Sequence, residues 1–182
     1  MKIILVTGTP EVDRSVLIDV AMKRLNEPKE KLDFLDFDAV SEVMKSILEG
    51  KDLTMFQISE KIKEMNGQFE KAVIKAMKTC GGVLIVNCSI TMNTEYGIFP
   101  VLKRDFFETF SPELIMLVET KPLESVNKES EMKAMDKHRD INEVYAFSYS
   151  AFCHASVDRI IIKKGKLDDA ARHITASIKS IV

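Results

Sequence analysis

The sequence predicts a parallel β-sheet covered by helices on both faces, and three observations carry that prediction. Strand-like and helix-like patterns alternate along the whole chain, with five strand candidates. Val83–Val86 and Leu114–Val118 are unbroken apolar runs, as strands buried on both faces require. The segments between them repeat apolar residues every three or four positions, which gives a helix one apolar stripe. The 182 residues suffice for one domain with a sizeable core, and two domains would be cramped.

The elements follow in order. Ile3-Ile4-Leu5-Val6 is a short apolar run rich in β-branched residues, broken by Gly8 and Pro10. Val16, Leu17, Val20, Ala21 and Leu25 then step as a helix does, from about Ser15 to Leu25, and Pro28 ends it. Leu32 to Phe37 alternates briefly, as a strand. Ala39 to Leu48 returns to helical spacing and stops at Gly50. Ile58, Ile62, Met65, Phe69, Val73 and Met77 mark a long amphipathic helix ending at Gly81-Gly82. After the strand at Val83–Val86 the residues from Asn87 to Pro100 read as a loop. A helix from about Val101 to Phe110 is closed by Ser111-Pro112, and the Leu114–Val118 strand follows. Pro122 suits a helix start, and a polar, Lys/Glu-rich stretch runs from Leu123 to Asp140. Ile141 to Ser156 is helix-like, Arg159–Ile162 a last strand, and Leu167 to Ile181 a terminal helix.

Ligands of such sheets bind at the carboxyl ends of the strands. That directs attention to Gly8–Ser15, Asp36–Asp38, Asn87–Ser89, Glu119–Lys121 and Lys163–Lys166. Strand, turn and helix around Gly8–Ser15 are the setting of a phosphate-binding loop G-x-x-x-x-G-K-[ST]. There, successive backbone N–H groups and the positive end of a helix cradle phosphates. On that pattern Gly8 is the first glycine, Thr9 and Pro10 lie in the bend, and Ser15 is the magnesium-binding hydroxyl. Asp13 stands at the second glycine, where it needs a glycine-like backbone, and Arg14 stands at the lysine. Asp13 and Glu11 add negative charge beside the phosphates. Like charges about 4 Å apart repel by roughly 4 kcal/mol at an effective dielectric of about 20. A plain strand–helix turn is the other reading.

Other candidates are weaker. Asn87 follows a strand where a phosphate site often has an acidic magnesium ligand, and an amide holds a metal less well. Cys88 reads as a buried thiol. Lys137-His138-Arg139-Asp140 is a charged knot at an expected helix start. It is either a phosphate clamp or a solvated N-terminus capped by Asp140. Lys163-Lys164-Gly165-Lys166 reads as a surface turn, and His154 and His173 as structural. A net charge of -2, with 46% hydrophobic and 30% charged residues, gives no sign of a nucleic-acid or membrane surface. The first apolar run is shorter than a signal peptide's core, and no run approaches a membrane span. Three cysteines without metal-site spacing fit reduced thiols in a cytoplasmic protein.

Taken together, these segments give the chain a family likeness. Val6-Thr7-Gly8-Thr9-Pro10, Asp36–Val40, Leu84–Ser89, Phe110–Glu113 with Leu114–Thr120, and Lys137–Asp140 fall in the order and spacing of the archaeal type of adenylate kinase. The chain resembles that family over nearly its whole length. The resemblance implies a P-loop nucleoside monophosphate kinase fold with strand order 2-3-1-4-5 and a lid-like segment around residues 123–140. It implies ATP with Mg²⁺ on the loop and AMP in the neighbouring cleft. Carried over by residue, Gly8, Thr9, Pro10, Asp13, Arg14, Ser15 and Gly97 would line the nucleotide, with Ser15 holding Mg²⁺. Arg14, Arg139 and Lys137 would supply catalytic cations. Members often form trimers, so a dimer or trimer is expected.

The departures from that family's pattern are systematic. Two loop glycines are Glu11 and Asp13, and acceptor-side positions are Asp38 and Ala39. An Asp-Thr-His triplet is Asn87-Cys88-Ser89, and the first lid arginines fall near Ser130 and Glu131. No arginine occurs between Arg24 and Arg104. The sequence therefore points to an adenylate-kinase-like nucleotide-binding or partner-binding homologue with little phosphotransfer. The alternative is an active kinase with a non-standard loop.

Overall fold

A computed structural model describes residues 1–10, 12–25, 32–40, 46–47, 53–120, 129–163 and 165–182. Its main sheet has five parallel strands: β1 (Lys2–Gly8), β2 (Leu32–Asp36), β3 (Val83–Asn87), β6 (Leu114–Thr120) and β7 (Ser156–Ile162). Their order is β2-β3-β1-β6-β7. Counting only these strands, that is the expected 2-3-1-4-5. The higher labels arise because β4 (Thr91–Thr94) and β5 (Gly97–Pro100) form a separate antiparallel hairpin.

The helices with described bounds are α1 (Arg14–Leu25), α2 (Phe37–Val40), α3 (Met55–Thr79), α4 (Arg104–Phe110), α5 (Glu129–Cys153) and α6 (Leu167–Ile181), and Ser46 and Ile47 are helical as well. Successive side chains of a strand point to opposite faces, and the two apolar cores divide accordingly. Leu5, Leu84, Val86, Ile115 and Leu117 face α3, α4 and α5, where Phe69, Phe106 and Tyr149 pack. Phe107 stacks on Tyr149 at 4.0 Å between ring centroids. Ile4, Val6, Ile85, Met116 and Val118 face α1 and α6. The apolar runs are thus buried on both sides.

Two differences from expectation have physical causes. The segment after Asn87 is not all loop. Gly97, at φ +117°, starts the return strand of the hairpin, and Thr94 Oγ1 donates to Gly97 O at 3.0 Å. The polar stretch before Ile141 is helix from Glu129 onward, since it contains no Gly or Pro and Asp136 pairs with Arg139 one turn away. Lys137–Asp140 therefore lies within α5, and Asp140 caps nothing. Of the expected lid-like segment, residues 123–128 lie outside the described residues. Most of the expected helix at 39–48 lies outside them too. Among the described residues no helix is long and apolar enough to cross a membrane.

Candidate functional site

The carboxyl ends of β1, β2 and β3 meet the start of α1, and their polar side chains form one connected cluster. Arg14, the first residue of α1, turns its side chain inward and is 5% exposed. Its Nε donates to Asn87 Oδ1 at 2.8 Å and its Nη1 to the carbonyl of Thr9 at 3.0 Å. Its Nη2 pairs with Asp38 and reaches Ser89 Oγ at 3.0 Å. Asp38 also accepts from the Ser89 hydroxyl at 2.7 Å and from the Ser89 backbone N–H at 3.0 Å. The guanidinium, an obligate donor that pairs strongly with carboxylate, is thus enclosed by acceptors of the protein itself.

That arrangement fixes Asn87 and, through it, Ser15. Arg14 Nε can only donate, so the Asn87 oxygen faces it and the Asn87 NH₂ points the other way. It donates to Asp36 Oδ1 at 2.9 Å and to Ser15 Oγ at 3.3 Å. Ser15 Oγ gives its own hydrogen to Asp36. A magnesium ion requires oxygen ligands converging on it, and here an amide N–H points at the very oxygens that would serve. The donor set does not fit that ion. Among the described residues, no group of three or more His, Cys, Asp or Glu could hold a metal.

Asp13 does not adopt a glycine-like backbone; among the described non-glycine residues only Ser111 and His154 have positive φ. Instead it caps α1, accepting from the Val16 N–H at 3.2 Å. An Asp needs no left-handed conformation to do so, which is why the expected strain does not arise. Gly8 ends β1 beside Val118, Thr9 is buried, and Pro10 is exposed. Gly97 lies in the hairpin, Lys137 is exposed on α5, and Arg139 pairs with Asp136 at 2.7 Å. The site therefore joins Arg14 and Ser15 by direct bonds to Asp36, Asp38, Asn87 and Ser89, with the Thr9 carbonyl held through Arg14. Cys88, fully buried, has its thiol pushed well up by burial and by nearby Asp38, so it stays protonated.

No family model matches the chain. Its sequence is similar to adenylate kinases: 25% identical to that of Methanopyrus kandleri over 98% of both chains. It is 28% identical to that of Saccharolobus solfataricus over 98% of this chain and 100% of the relative. Among solved structures, thymidylate kinase from Candida albicans superposes with a TM-score of 0.51 at 11% identity, covering 98% of this chain and 91% of that one. The chain is adenylate-kinase-like, with the P-loop nucleoside monophosphate kinase fold.

This adenylate-kinase-like chain holds a second polar cluster on the α5 side of the sheet. Thr91 Oγ1 lies 3.0 Å from His138 Nε2 and donates to Asn142 Oδ1 at 3.0 Å, tying the hairpin to α5. Glu119, near the end of β6, is 0% exposed and pairs with Arg159 at 3.3 Å, while its Oε1 has no partner. Periodicity alone gave no sign of these contacts; only the position of Glu119 at a strand end marked it.

Burial lifts the Glu119 carboxyl from 4.5 to about 7, against the pull of Arg159. A carboxyl whose folded-state affinity for protons is raised contributes stability that is complete below about pH 4.5. That contribution is lost as pH rises through about 7. Glu119→Gln should therefore flatten the thermal midpoint against pH between 4.5 and 7, relative to the parent, and raise stability at pH 8. A parent and variant with parallel profiles would show that Glu119 is ionised throughout.

Between α1 and the start of α6 lies an open groove of about 340 Å³, lined by Val12, Val16, Val20, Thr120, Ile162 and Leu167, with Asp13 and Asp168 beside them. Thr120 and Ile162 are the last residues of β6 and β7. This is the end of the sheet at which ligands of the fold class bind.

Proposed function

We propose that the chain is an adenylate-kinase-like scaffold that binds a nucleotide-related ligand or a partner and transfers phosphate poorly. One observation carries this reading: Arg14, the cation in the position of the loop lysine, is buried and bonded to Asp38, Asn87, Ser89 and the Thr9 carbonyl. Phosphoryl transfer rests on positioning and cationic stabilisation, and a single supplied arginine is worth about 10³–10⁵ in rate. A guanidinium committed to Asp38 contributes little of that. The relatives' name, adenylate kinase, supports adenine nucleotides as the class to test first.

The second reading is an active nucleoside monophosphate kinase in which a phosphate displaces Asp38 from Arg14. The retained Gly8, Ser15 and Arg139 favour it. Purified protein with Mg-ATP and AMP should form ADP at less than about 10⁻² s⁻¹, against the roughly 1–100 s⁻¹ of kinases. Turnover inside the kinase range would establish the second reading.

A further inference from the structure

We propose that a small depression at the outer edge of β7 binds a phosphate group, as inorganic phosphate or a small phosphomonoester, through Lys163, Lys166 and His173. This goes beyond the reading above and does not depend on it. Among the described residues β7 ends the sheet, paired with β6 on one side only. The depression measures about 160 Å³, and Ile161 and Ala170 line it together with Lys163, Lys166, Asp169 and His173. It is separate from the groove beside α1: α6 turns Asp168 and Ala171 to that groove, and Asp169, Ala170 and His173 to this depression. A drug-sized ligand takes about 300 Å³ or more, so the volume here suits a group as small as phosphate.

The local backbone brings the two lysines together. The Lys166 N–H donates to the Lys163 carbonyl at 2.9 Å across a turn, and Gly165, at φ +71°, supplies the left-handed residue that such a turn requires. A turn of this kind holds its first and last Cα atoms within about 7 Å. Both lysines are exposed, and among the described residues neither side chain has a hydrogen-bond or ion-pair partner. Every acid of β7 and α6, by contrast, is engaged. Asp168 pairs with Arg24 and Arg172, Asp169 with Arg172 at 3.3 Å, and Asp158 with His173 at 3.0 Å and with the Ser177 hydroxyl. The Asp158 carboxylate accepts from His173 Nε2 and so orients the ring. Nδ1 has no partner among the described residues, and a protonated ring donates from it as well. Like charges held this close repel, and an anion seated between them replaces that repulsion with two attractions. Lysine ammonium groups serve phosphate in this way as point charges.

Titration of the full chain with inorganic phosphate, followed by NMR of the histidine rings at fixed pH and ionic strength, tests this. The chain has three histidines, so the His173 signals are assigned with a His173→Gln variant. Phosphate should move the His173 signals saturably and leave those of His154, before the opposite end of β7, in place. Chloride at the same ionic strength should move neither. Lys163→Gln and Lys166→Gln should each weaken binding about two- to fivefold, the worth of an exposed ion pair, and the two together about tenfold. Lys75→Gln, which removes an exposed charge from α3, should leave binding unchanged. All three lysines are at the surface, so thermal midpoints should stay within a few degrees of the parent. Glycerol phosphate binding as well as inorganic phosphate upholds the site for phosphomonoesters, and binding of inorganic phosphate alone upholds it for the free ion. A His173 response that chloride reproduces, that never saturates, or that ignores both lysine substitutions would overturn the inference. Phosphate seated at Arg14 in place of Asp38 would leave His173 unmoved, which removes this site and bears separately on the reading above.

Discussion

Arg14→Met is expected to lower stability by about 3 kcal/mol, the cost of removing one partner from a buried ion pair. For a chain of this length that is a fall in thermal midpoint on the order of 10 °C. The methionine would fill similar space, so the loss comes from what the guanidinium leaves behind. Asp38 keeps its charge with its side chain 18% exposed, and Asn87, 2% exposed, loses the donor that orients its amide. Adding Asp38→Asn should recover part of the loss, because the uncompensated charge goes with it. A fall under about 1 kcal/mol, the value of an exposed ion pair, would show that the guanidinium is not held in this cluster. It would then be available to phosphate after all.

Gly8→Ala should prevent folding or cost more than about 4 kcal/mol, an effect beyond that of ordinary substitutions. A Cβ at Gly8 would stand 1.8 Å from the carbonyl oxygen of Val118 and 2.9 Å from its carbonyl carbon. Both atoms are backbone in the neighbouring strand, paired with β1 in register, so neither can swing aside without parting the sheet. Gly97→Ala is the control. It has φ +117° but nothing within 4 Å of the added atom, so only local backbone strain of about 1–2 kcal/mol is expected. Soluble yield and denaturant midpoints for the two variants decide the matter. Comparable midpoints would mean that β1 and β6 do not approach closely at Gly8. Whether or not phosphate binds, this glycine is demanded by the sheet.

The long strands were legible because a strand buried on both faces has to be apolar at every position, and few other structures ask for that. The helices at Met55–Thr79 and Leu167–Ile181 were legible from one-sided apolar spacing. The hairpin at Thr91–Pro100 was not. Its residues, Asn93, Thr94 and Gly97 among them, read equally well as loop, and its pairing and its ties to α5 through His138 and Asn142 are long-range. The start of α5 was misplaced for a related reason: charged residues mark a helix end or a solvated helix face equally well. Asp13 was identified as a departure from the loop pattern, but its cap on α1 appeared only with the backbone in place.

By itself the sequence determined the sheet, the helices on its two faces and the position of the Gly8–Ser15 turn between them. Local hydrophobic spacing and steric limits at Gly and Pro act over a few residues and can be read in one dimension. Only the tertiary structure decided where Arg14 points. Its partners Asp38, Asn87 and Ser89 lie 24, 73 and 75 residues away along the chain, brought together because the sheet order sets the ends of β1, β2 and β3 side by side. An ion pair is chosen by distance in space, and strand order supplies that distance.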